Sequence, residues 1–216
     1  MKKFMDISIM YRTIQRSTSF FLLLTALSWL HSAEKTLLFL GDSITAGYGL
    51  QKEQAFPGIL AEYLKKEKVD VKIINGGTSG DTTAGGLRKM NWFLKRKIDL
   101  IVISLGGNDG LRGLSVEASK ANLQGIIDKA RKKYPDIKII LSGMQVPPNM
   151  GEAYAKEFKA MYPAIAEKNK VTLFPFLLEG VGGVRAMNLA DGIHPNKAGQ
   201  KMIADNMLPF VKKALK

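Results

Sequence analysis

The feature that most constrains the fold is a regular alternation, after Ala33, between short apolar runs and longer amphipathic segments. Between the runs, apolar residues recur at helical spacing, as in 56–64, 123–134, 154–165 and 203–214. The runs themselves are apolar throughout, which is typical of parallel strands covered on both faces. They lie at 37–40, 71–74, 100–105, 137–141 and 171–174. We therefore predict an α/β fold, a three-layer α/β/α sandwich around a five-stranded parallel sheet.

The first 33 residues differ from the rest of the chain. A basic stretch at 1–19 precedes an apolar run at 20–30, and the small residues Ser32 and Ala33 follow. This run is too short to cross a bilayer, which takes about 20 residues, and the order is typical of a secretory signal peptide. We predict that the signal peptide 1–33 is cleaved near Ala33 and that the protein is periplasmic or extracellular. A first core helix or an uncleaved interfacial anchor is the alternative, and residues 34–216 are predicted to form a single domain.

The chain carries a large positive charge, with 32 Lys and Arg against 19 Asp and Glu. Its basic clusters, at 65–68, 95–97, 131–133 and 212–213, each end a helix-like segment, where cations stabilise the negative end of the helix dipole. Because no aromatic residues interleave with them, we predict no nucleic-acid binding. The clusters are predicted to be solvated, and a weak attraction to anionic membrane surfaces is the alternative.

Four polar, glycine-rich segments are candidates for the functional site. They lie at 41–45, 75–81, 106–110 and 191–196. The first three follow apolar runs and the fourth precedes the last helical segment. Since ligands of open α/β sheets bind outside the carboxyl ends of the strands, we expect these segments to converge at one edge.

A serine, a histidine and an aspartate in these segments have the pattern of a nucleophilic triad. His194 is the one histidine after Ala33, and Asp191 lies three residues before it, within reach of its Nδ1–H. Ser43 follows the first strand directly and becomes a nucleophile if an imidazole accepts its proton. A helix cap or turn role for Ser43, and a structural role for His194, are the alternatives.

An acyl-transfer site also needs hydrogen-bond donors for the developing oxyanion. Gly80 opens the segment 81–94, so its N–H can point outward as amides at a helix start do. Asn108 offers a side-chain amide at the end of the third strand, although a turn role in a glycine-rich loop is the alternative.

Several other classes of site lack their motifs in this sequence. There is no G-x-S-x-G, no G-x-x-x-x-G-K-[ST] and no G-x-G-x-x-G. The absence of Cys excludes a thiolate metal site and a cysteine nucleophile. The aspartates 42, 81, 109 and 191 could resemble a dinuclear metal site. Such sites usually use several histidines, and this chain has one after Ala33, so a metal-dependent phosphoesterase is disfavoured.

The order of these motifs resembles the SGNH (GDSL-type) hydrolases over 35–216. The matching residues are Gly-Asp-Ser at 41–43, Gly80, Gly-x-Asn-Asp at 106–109 and Asp-x-x-His at 191–194. The segments LGGNDGLRG (105–113) and DGIHPN (191–196) resemble the small bacterial branch of arylesterases, acyl-thioesterases and lysophospholipases. The resemblance implies a flavodoxin-like fold and a signal peptide.

The resemblance also implies a role for each matching residue. Ser43 is the nucleophile and contributes its backbone N–H to the oxyanion hole, together with Gly80 and Asn108. His194 is the general base and then the acid, oriented by Asp191. Asp42 and Asp109 are expected to be structural, and neither a metal nor an organic cofactor is required.

The substrate is predicted to be a small-molecule ester or thioester of a short to medium acyl chain. Five apolar residues on two loops are candidates for lining an acyl groove, although covering the sheet edge is an equal alternative. They are Leu111, Leu114, Met144, Val146 and Met150. A carbohydrate O-acetylesterase would use the same catalytic residues, and a ligand-binding sandwich without turnover is the non-enzymatic alternative.

Overall fold

Five parallel strands form the central sheet of this computed structural model, which describes residues 34–216. They are β1 (Lys35–Gly41), β2 (Val71–Gly77), β3 (Leu100–Ser104), β4 (Lys138–Ser142) and β5 (Thr172–Phe174). Their order is β2-β1-β3-β4-β5, with every neighbouring pair parallel. The predicted five-stranded, flavodoxin-like sheet is confirmed. The predicted signal peptide lies outside the described residues.

Seven α-helices accompany the strands in the described part of the chain. They are α1 (Ser43–Ala46), α2 (Phe56–Lys66), α3 (Thr83–Phe93), α4 (Gly107–Leu111), α5 (Val116–Lys133), α6 (Glu152–Asn169) and α7 (Lys197–Leu215). Short 3₁₀ turns lie at Lys52–Gln54, Pro148–Met150 and Arg185–Met187. No helix in residues 34–216 is both long and apolar enough to cross a membrane.

The core lies on both faces of the sheet. Every residue of β3 is buried, as are Leu37, Leu38, Phe39 and Leu40 of β1. The amphipathic faces of α2, α5, α6 and α7 bury the apolar residues that the helical spacing indicated, including Leu60, Ile126, Phe158 and Met207. The continuous apolar runs therefore reflect burial on both faces, as expected for a parallel sheet.

The strand order determines where on the sheet a ligand is expected to bind. From β1 the chain crosses to β2 on one side, and the next connection returns to β3 on the other side of β1. The loops after β1 and β3 therefore diverge at a topological switch point, where open α/β sheets bind ligands. The segments containing Ser43 and Asn108 follow these two strands.

Close backbone contacts fix the turn after β1. A Cβ at Gly77 would lie 2.3 Å from the backbone nitrogen of Ala46, and one at Gly41 would lie 2.9 Å from the Ser104 carbonyl oxygen. No larger residue fits at either position without moving the backbone. The turn that begins α1 is therefore held directly between β2 and β3.

Candidate active site

The turn after β1 presents Ser43 as the first residue of α1. Asp42 caps this short helix, and its Oδ1 accepts the Ile44 N–H at 3.0 Å. Gly47 ends the helix in the left-handed conformation, with φ of 77°. The Ser43 side chain thus projects from a rigid strand-to-helix turn at the carboxyl edge of the sheet.

The structure brings the three predicted triad residues into one hydrogen-bonded line. His194 Nε2 lies 3.0 Å from Ser43 Oγ, across 151 residues of sequence. On the other side of the ring, His194 Nδ1 lies 2.7 Å from Asp191 Oδ2. This is the arrangement in which an imidazole accepts a serine proton while a carboxylate fixes its tautomer.

The carboxylate of Asp191 is held in place by its own loop. Its Oδ1 accepts the backbone N–H groups of Ile193 and His194 at 2.9 and 3.0 Å. The His194 backbone N–H and then its side chain are the main causes that lower the pKa of Asp191 to about 2. Asp191 therefore stays ionised across the neutral range and can stabilise an imidazolium.

Tyr48 is a neighbour of the triad that the sequence analysis missed. Its ring stacks on the imidazole of His194, with centroids 4.3 Å apart and planes inclined by 34°. The backbone N–H of Tyr48 also bonds to the Ser43 carbonyl at 3.0 Å. Tyr48 therefore supports the turn that carries Ser43 and covers one face of the His194 ring. In the sequence, only its position five residues after Ser43 indicated that Tyr48 could lie near the triad.

Gly80 and Asn108, the other two oxyanion-hole candidates, are linked through Asp81, the residue that follows Gly80. Asn108 Nδ2 donates to the Asp81 carbonyl at 2.9 Å, which leaves its second amide hydrogen for another acceptor. Arg112, also missed from the sequence, donates to the Gly80 carbonyl at 3.2 Å. These two bonds tie the loop after β2 to the loop after β3.

The expectation that Gly80 lies at a helix start is wrong. The helix begins at Thr83, with Thr82 as its cap, and Gly80 lies in the preceding turn with φ of 79°. This left-handed conformation favours glycine and sets the direction of the peptide group. The Gly80 N–H therefore lies in a turn before the helix, and Arg112 holds the next peptide group through the Gly80 carbonyl.

The remaining carboxylates each bind groups of the scaffold. Asp109 is 1% exposed and accepts the backbone N–H and the hydroxyl of Thr83 at 2.9 and 2.5 Å, together with the Ser119 hydroxyl. Asp81 pairs with Lys89 at 2.6 Å. Asp42 and Asp109 therefore stabilise loops, as expected.

The five apolar groove candidates do not share one environment. Leu111 and Leu114 are 46% and 40% exposed, whereas Met144 is buried in the core. A Cβ at Gly110 would lie 2.3 Å from Val146, and one at Gly113 would lie 3.8 Å from Met150. The segment 110–114 therefore packs against the loop 144–150, and Leu111 and Leu114 remain open to solvent.

Asn108→Ala is expected to lower kcat by about 10²–10³-fold with a smaller change in KM, because an oxyanion donor acts mainly in the transition state. Steady-state kinetics with a p-nitrophenyl ester measure both constants. Asn206→Ala is the matched control, since Asn206 lies on α7 and its side-chain amide donates to the Glu179 carbonyl at 3.1 Å. A loss below tenfold in the folded Asn108 variant would exclude this residue from the oxyanion hole.

Asp42 makes the stability of the protein depend on pH. Burial raises the pKa of Asp42 from 3.8 to about 6, although the Ile44 N–H and His194 oppose the shift. The folded state therefore binds this proton more tightly than the unfolded chain, so the stability it contributes below pH 4 is lost as the pH rises through 6. Relative to Asp42→Asn, wild type should lose about 2 kcal/mol of unfolding free energy between pH 4 and pH 8.

Urea denaturation at both pH values measures this change, and Asp205→Asn is the control. Burial raises the pKa of Asp205, but hydrogen bonds from Lys201 and Tyr63 outweigh this and hold it below 3.8. Its difference from wild type should therefore be constant between pH 4 and pH 8. An equally flat difference for Asp42→Asn would show that Asp42 is ionised throughout.

Comparison with known families supports the chemistry of this arrangement. Residues 39–202 match the GDSL-like lipase/acylhydrolase family. Esterase TesA of Pseudomonas aeruginosa is 44% identical over 185 residues, which cover 85% of this chain and 91% of that protein. A thioesterase 1/protease 1/lysophospholipase of Escherichia coli is 36% identical over 188 residues, covering 87% and 88% of the two chains.

A solved structure has the same fold as this chain. The psychrotrophic esterase EstA from Pseudoalteromonas sp., inhibited by monoethylphosphonate, superposes with a TM-score of 0.79 at 33% identity. The match covers 84% of this chain and 99% of that one. The family match over residues 39–202 includes all four segments that form the candidate site.

Proposed function

The chain belongs to the GDSL-like lipase/acylhydrolase family and is an ester hydrolase, and we propose that it acts through an acyl-enzyme on Ser43. One observation carries this proposal: the line from Asp191 through His194 to Ser43, with contacts of 2.7 and 3.0 Å. An imidazole placed in this way raises the reactivity of a serine hydroxyl that is otherwise a poor nucleophile.

In the acylation step, Ser43 Oγ forms a bond to the acyl carbonyl carbon while His194 Nε2 takes the hydroxyl proton. The carbonyl oxygen becomes an oxyanion that Ser43 N–H, Gly80 N–H and the Asn108 amide would stabilise. When the tetrahedral intermediate collapses, the bond to the leaving group breaks and His194 returns its proton to that group. Ser43 then carries the acyl chain as an ester.

In the deacylation step, water replaces the leaving group. His194 removes a proton from the water as it attacks the acyl carbon, and the same three donors stabilise the second oxyanion. Collapse of the intermediate breaks the bond to Ser43 Oγ, which regains its proton from His194. The carboxylic acid leaves, and the enzyme returns to its starting state.

We propose short to medium acyl esters and thioesters as substrates. The exposed side chains of Leu111, at the end of α4, and Leu114, just after it, follow Asn108 and offer an apolar surface for the acyl chain. The relatives include an esterase and a thioesterase, which supports both leaving-group classes. The same catalytic residues would also serve a carbohydrate O-acetylesterase, so acyl-chain preference decides between the two.

Labelling with a fluorophosphonate probe tests the nucleophile, since such probes bond covalently to activated serines. Peptide mapping should find the label on Ser43, and His194→Ala should abolish it. A folded protein that takes up no label would contradict the acyl-enzyme and support ligand binding without turnover.

A graded series of p-nitrophenyl esters tests the substrate. We expect kcat/KM to be highest between butyrate and octanoate, with slower release of acetate from acetylated sugars. Leu111→Ala with Leu114→Ala should reduce turnover of octanoate more than that of acetate. Trp92→Ala is the control. Trp92 is also an exposed apolar residue, at 55%, but it lies in the last turn of α3, at the end of that helix away from Gly80. A preference for acetylated sugars would favour the O-acetylesterase.

We also propose that the protein is exported with removal of residues 1–33. The basic stretch and the apolar run at 20–30 support this proposal. Amino-terminal sequencing of the exported protein should begin near Glu34. Recovery of the active enzyme from the cytosol with an intact Met1 would contradict cleavage.

A further inference from the structure

A basic patch lies at the amino edge of the sheet, away from the catalytic residues. It is formed by the end of α3 with the segment that leads into β3, and by the end of α5. Its members are Trp92, Lys95, Arg96, Lys97, Lys129, Lys132 and Lys133. Because loops that enter parallel strands lie at the edge opposite to those that leave them, the patch and Ser43 face opposite ways.

Tyr134 joins the two halves of the basic patch. Its hydroxyl lies 3.1 Å from the Leu94 carbonyl oxygen and 2.8 Å from that of Arg96. These contacts hold the end of α5 against the segment after α3, although about 40 positions separate them in the sequence. The patch is therefore a composite surface whose halves are fixed relative to each other.

Between the two halves lies a surface depression lined mainly by cations. Its lining residues are Asn91, Leu94, Lys95, Lys129, Lys132 and Lys133. No carboxylate is among these residues; four of the six are lysines, and the side-chain amide of Asn91 can also donate. Such a space suits the phosphate oxygens of a bound anion.

Like charges lie close together in the basic patch. Lys129 and Lys133 are four residues apart on α5, and like charges at this spacing destabilise a helix. Within residues 34–216, Lys97 is the patch cation that has an ion pair, with Asp99 at 3.0 Å. An external anionic surface would relieve the repulsion among the other cations.

Trp92 indicates which anionic surface fits. Its indole is 55% exposed, and the guanidinium of Arg96 lies 4.7 Å from the ring centroid. An exposed indole beside cations is typical of protein segments at a membrane–water interface. Binding of single-stranded nucleic acid usually requires a row of aromatic rings for base stacking, and this patch has one ring.

We propose that the basic patch docks the protein on an anionic phospholipid surface, with lysines on the lipid phosphates and Trp92 in the interface. The catalytic edge then faces the aqueous phase. Docked enzyme would therefore take its substrates from solution, not from the bilayer on which it rests.

Vesicle co-sedimentation of the full chain tests the proposal, using phosphatidylglycerol mixed with phosphatidylcholine against phosphatidylcholine alone. Each lysine near an anionic surface strengthens binding about fivefold, so Lys95→Gln, Lys132→Gln and Lys133→Gln together should weaken binding to the anionic vesicles about 100-fold. Binding to neutral vesicles should not change. Every variant in this comparison retains the apolar run at 20–30, so any contribution of that run to vesicle binding is the same in all of them.

The matched control also replaces three lysines, but on helix α6, outside the basic patch. Lys156, Lys159 and Lys168 are exposed on α6, and their replacement by Gln should weaken anionic binding less than tenfold. Both triple variants should hydrolyse a soluble p-nitrophenyl ester at the wild-type rate, which shows that they fold. Equal losses in the two triple variants would mean that net charge, not the basic patch, governs binding, and would overturn the proposal.

Fluorescence provides a second readout that depends on Trp92. The chain has two tryptophans, so Trp29→Phe leaves Trp92 as the sole indole. Its emission should shift to shorter wavelength with anionic vesicles and remain unchanged with neutral ones. Failure of the shift, or binding of duplex DNA in preference to anionic vesicles, would overturn the lipid assignment.

Discussion

Ser43→Ala is expected to lower kcat for ester hydrolysis by about 10⁶-fold, and adding His194→Ala should lower it no further. The reason is the 3.0 Å contact between the two side chains, which makes hydroxyl and imidazole one functional unit. Removing either partner leaves only binding and oxyanion stabilisation, so the second substitution has nothing left to remove. Steady-state and single-turnover kinetics of both single variants and the double variant measure this coupling.

Ser79→Ala is the control for the loss of a serine hydroxyl. Ser79 is exposed in the loop before Gly80 and should tolerate the change with wild-type kinetics. Thermal denaturation should show that all variants remain folded. If losses in the double variant were the product of the losses in the single variants, Ser43 and His194 would act independently, and the proposed mechanism would be wrong.

Asp191→Asn is expected to lower kcat by about 10⁴-fold, because it imposes the wrong tautomer on His194. Two backbone N–H groups bind Asp191 Oδ1, so the amide oxygen of Asn takes that position and its NH₂ group faces Nδ1. Nδ1 must then accept a hydrogen bond, which leaves the proton on Nε2. An imidazole protonated at Nε2 cannot take the proton of Ser43.

Asp191→Ala separates the tautomer effect from simple loss of charge. Without the amide group, a water molecule can accept from Nδ1–H and preserve the active tautomer, so the alanine variant should retain more activity than Asp191→Asn. The kcat values of the two variants at pH 8 decide this. Lower activity in Asp191→Ala would show that the carboxylate acts mainly through its charge.

The sheet was predictable from sequence because its signal is local. Each apolar run in 37–40, 100–105 and 137–141 needs only a few adjacent residues to show that a strand is buried on both faces. The helices α2, α5, α6 and α7 are long enough to show periodicity. By contrast, α1 and α4 have four and five residues, too few for a helical period to appear.

The site was predictable in part for a different reason. Asp191 and His194 lie within one turn of chain, and the sheet rule places Ser43 and Asn108 at a common edge. Two contacts join residues that are distant in sequence, so no local pattern could predict them. They are the stack of Tyr48 on His194 and the bond from Arg112 to Gly80. Likewise, burial of Met144 depends on how a loop folds back over the core.

The origin of the triad at opposite ends of the domain has a consequence for biosynthesis. Ser43 is synthesised 151 residues before His194. Until His194 has been synthesised and has reached Ser43, the hydroxyl lacks the imidazole that would take its proton. Hydrolysis therefore becomes possible only after His194 has been synthesised, and a truncated product that stops before Asp191 would be catalytically silent.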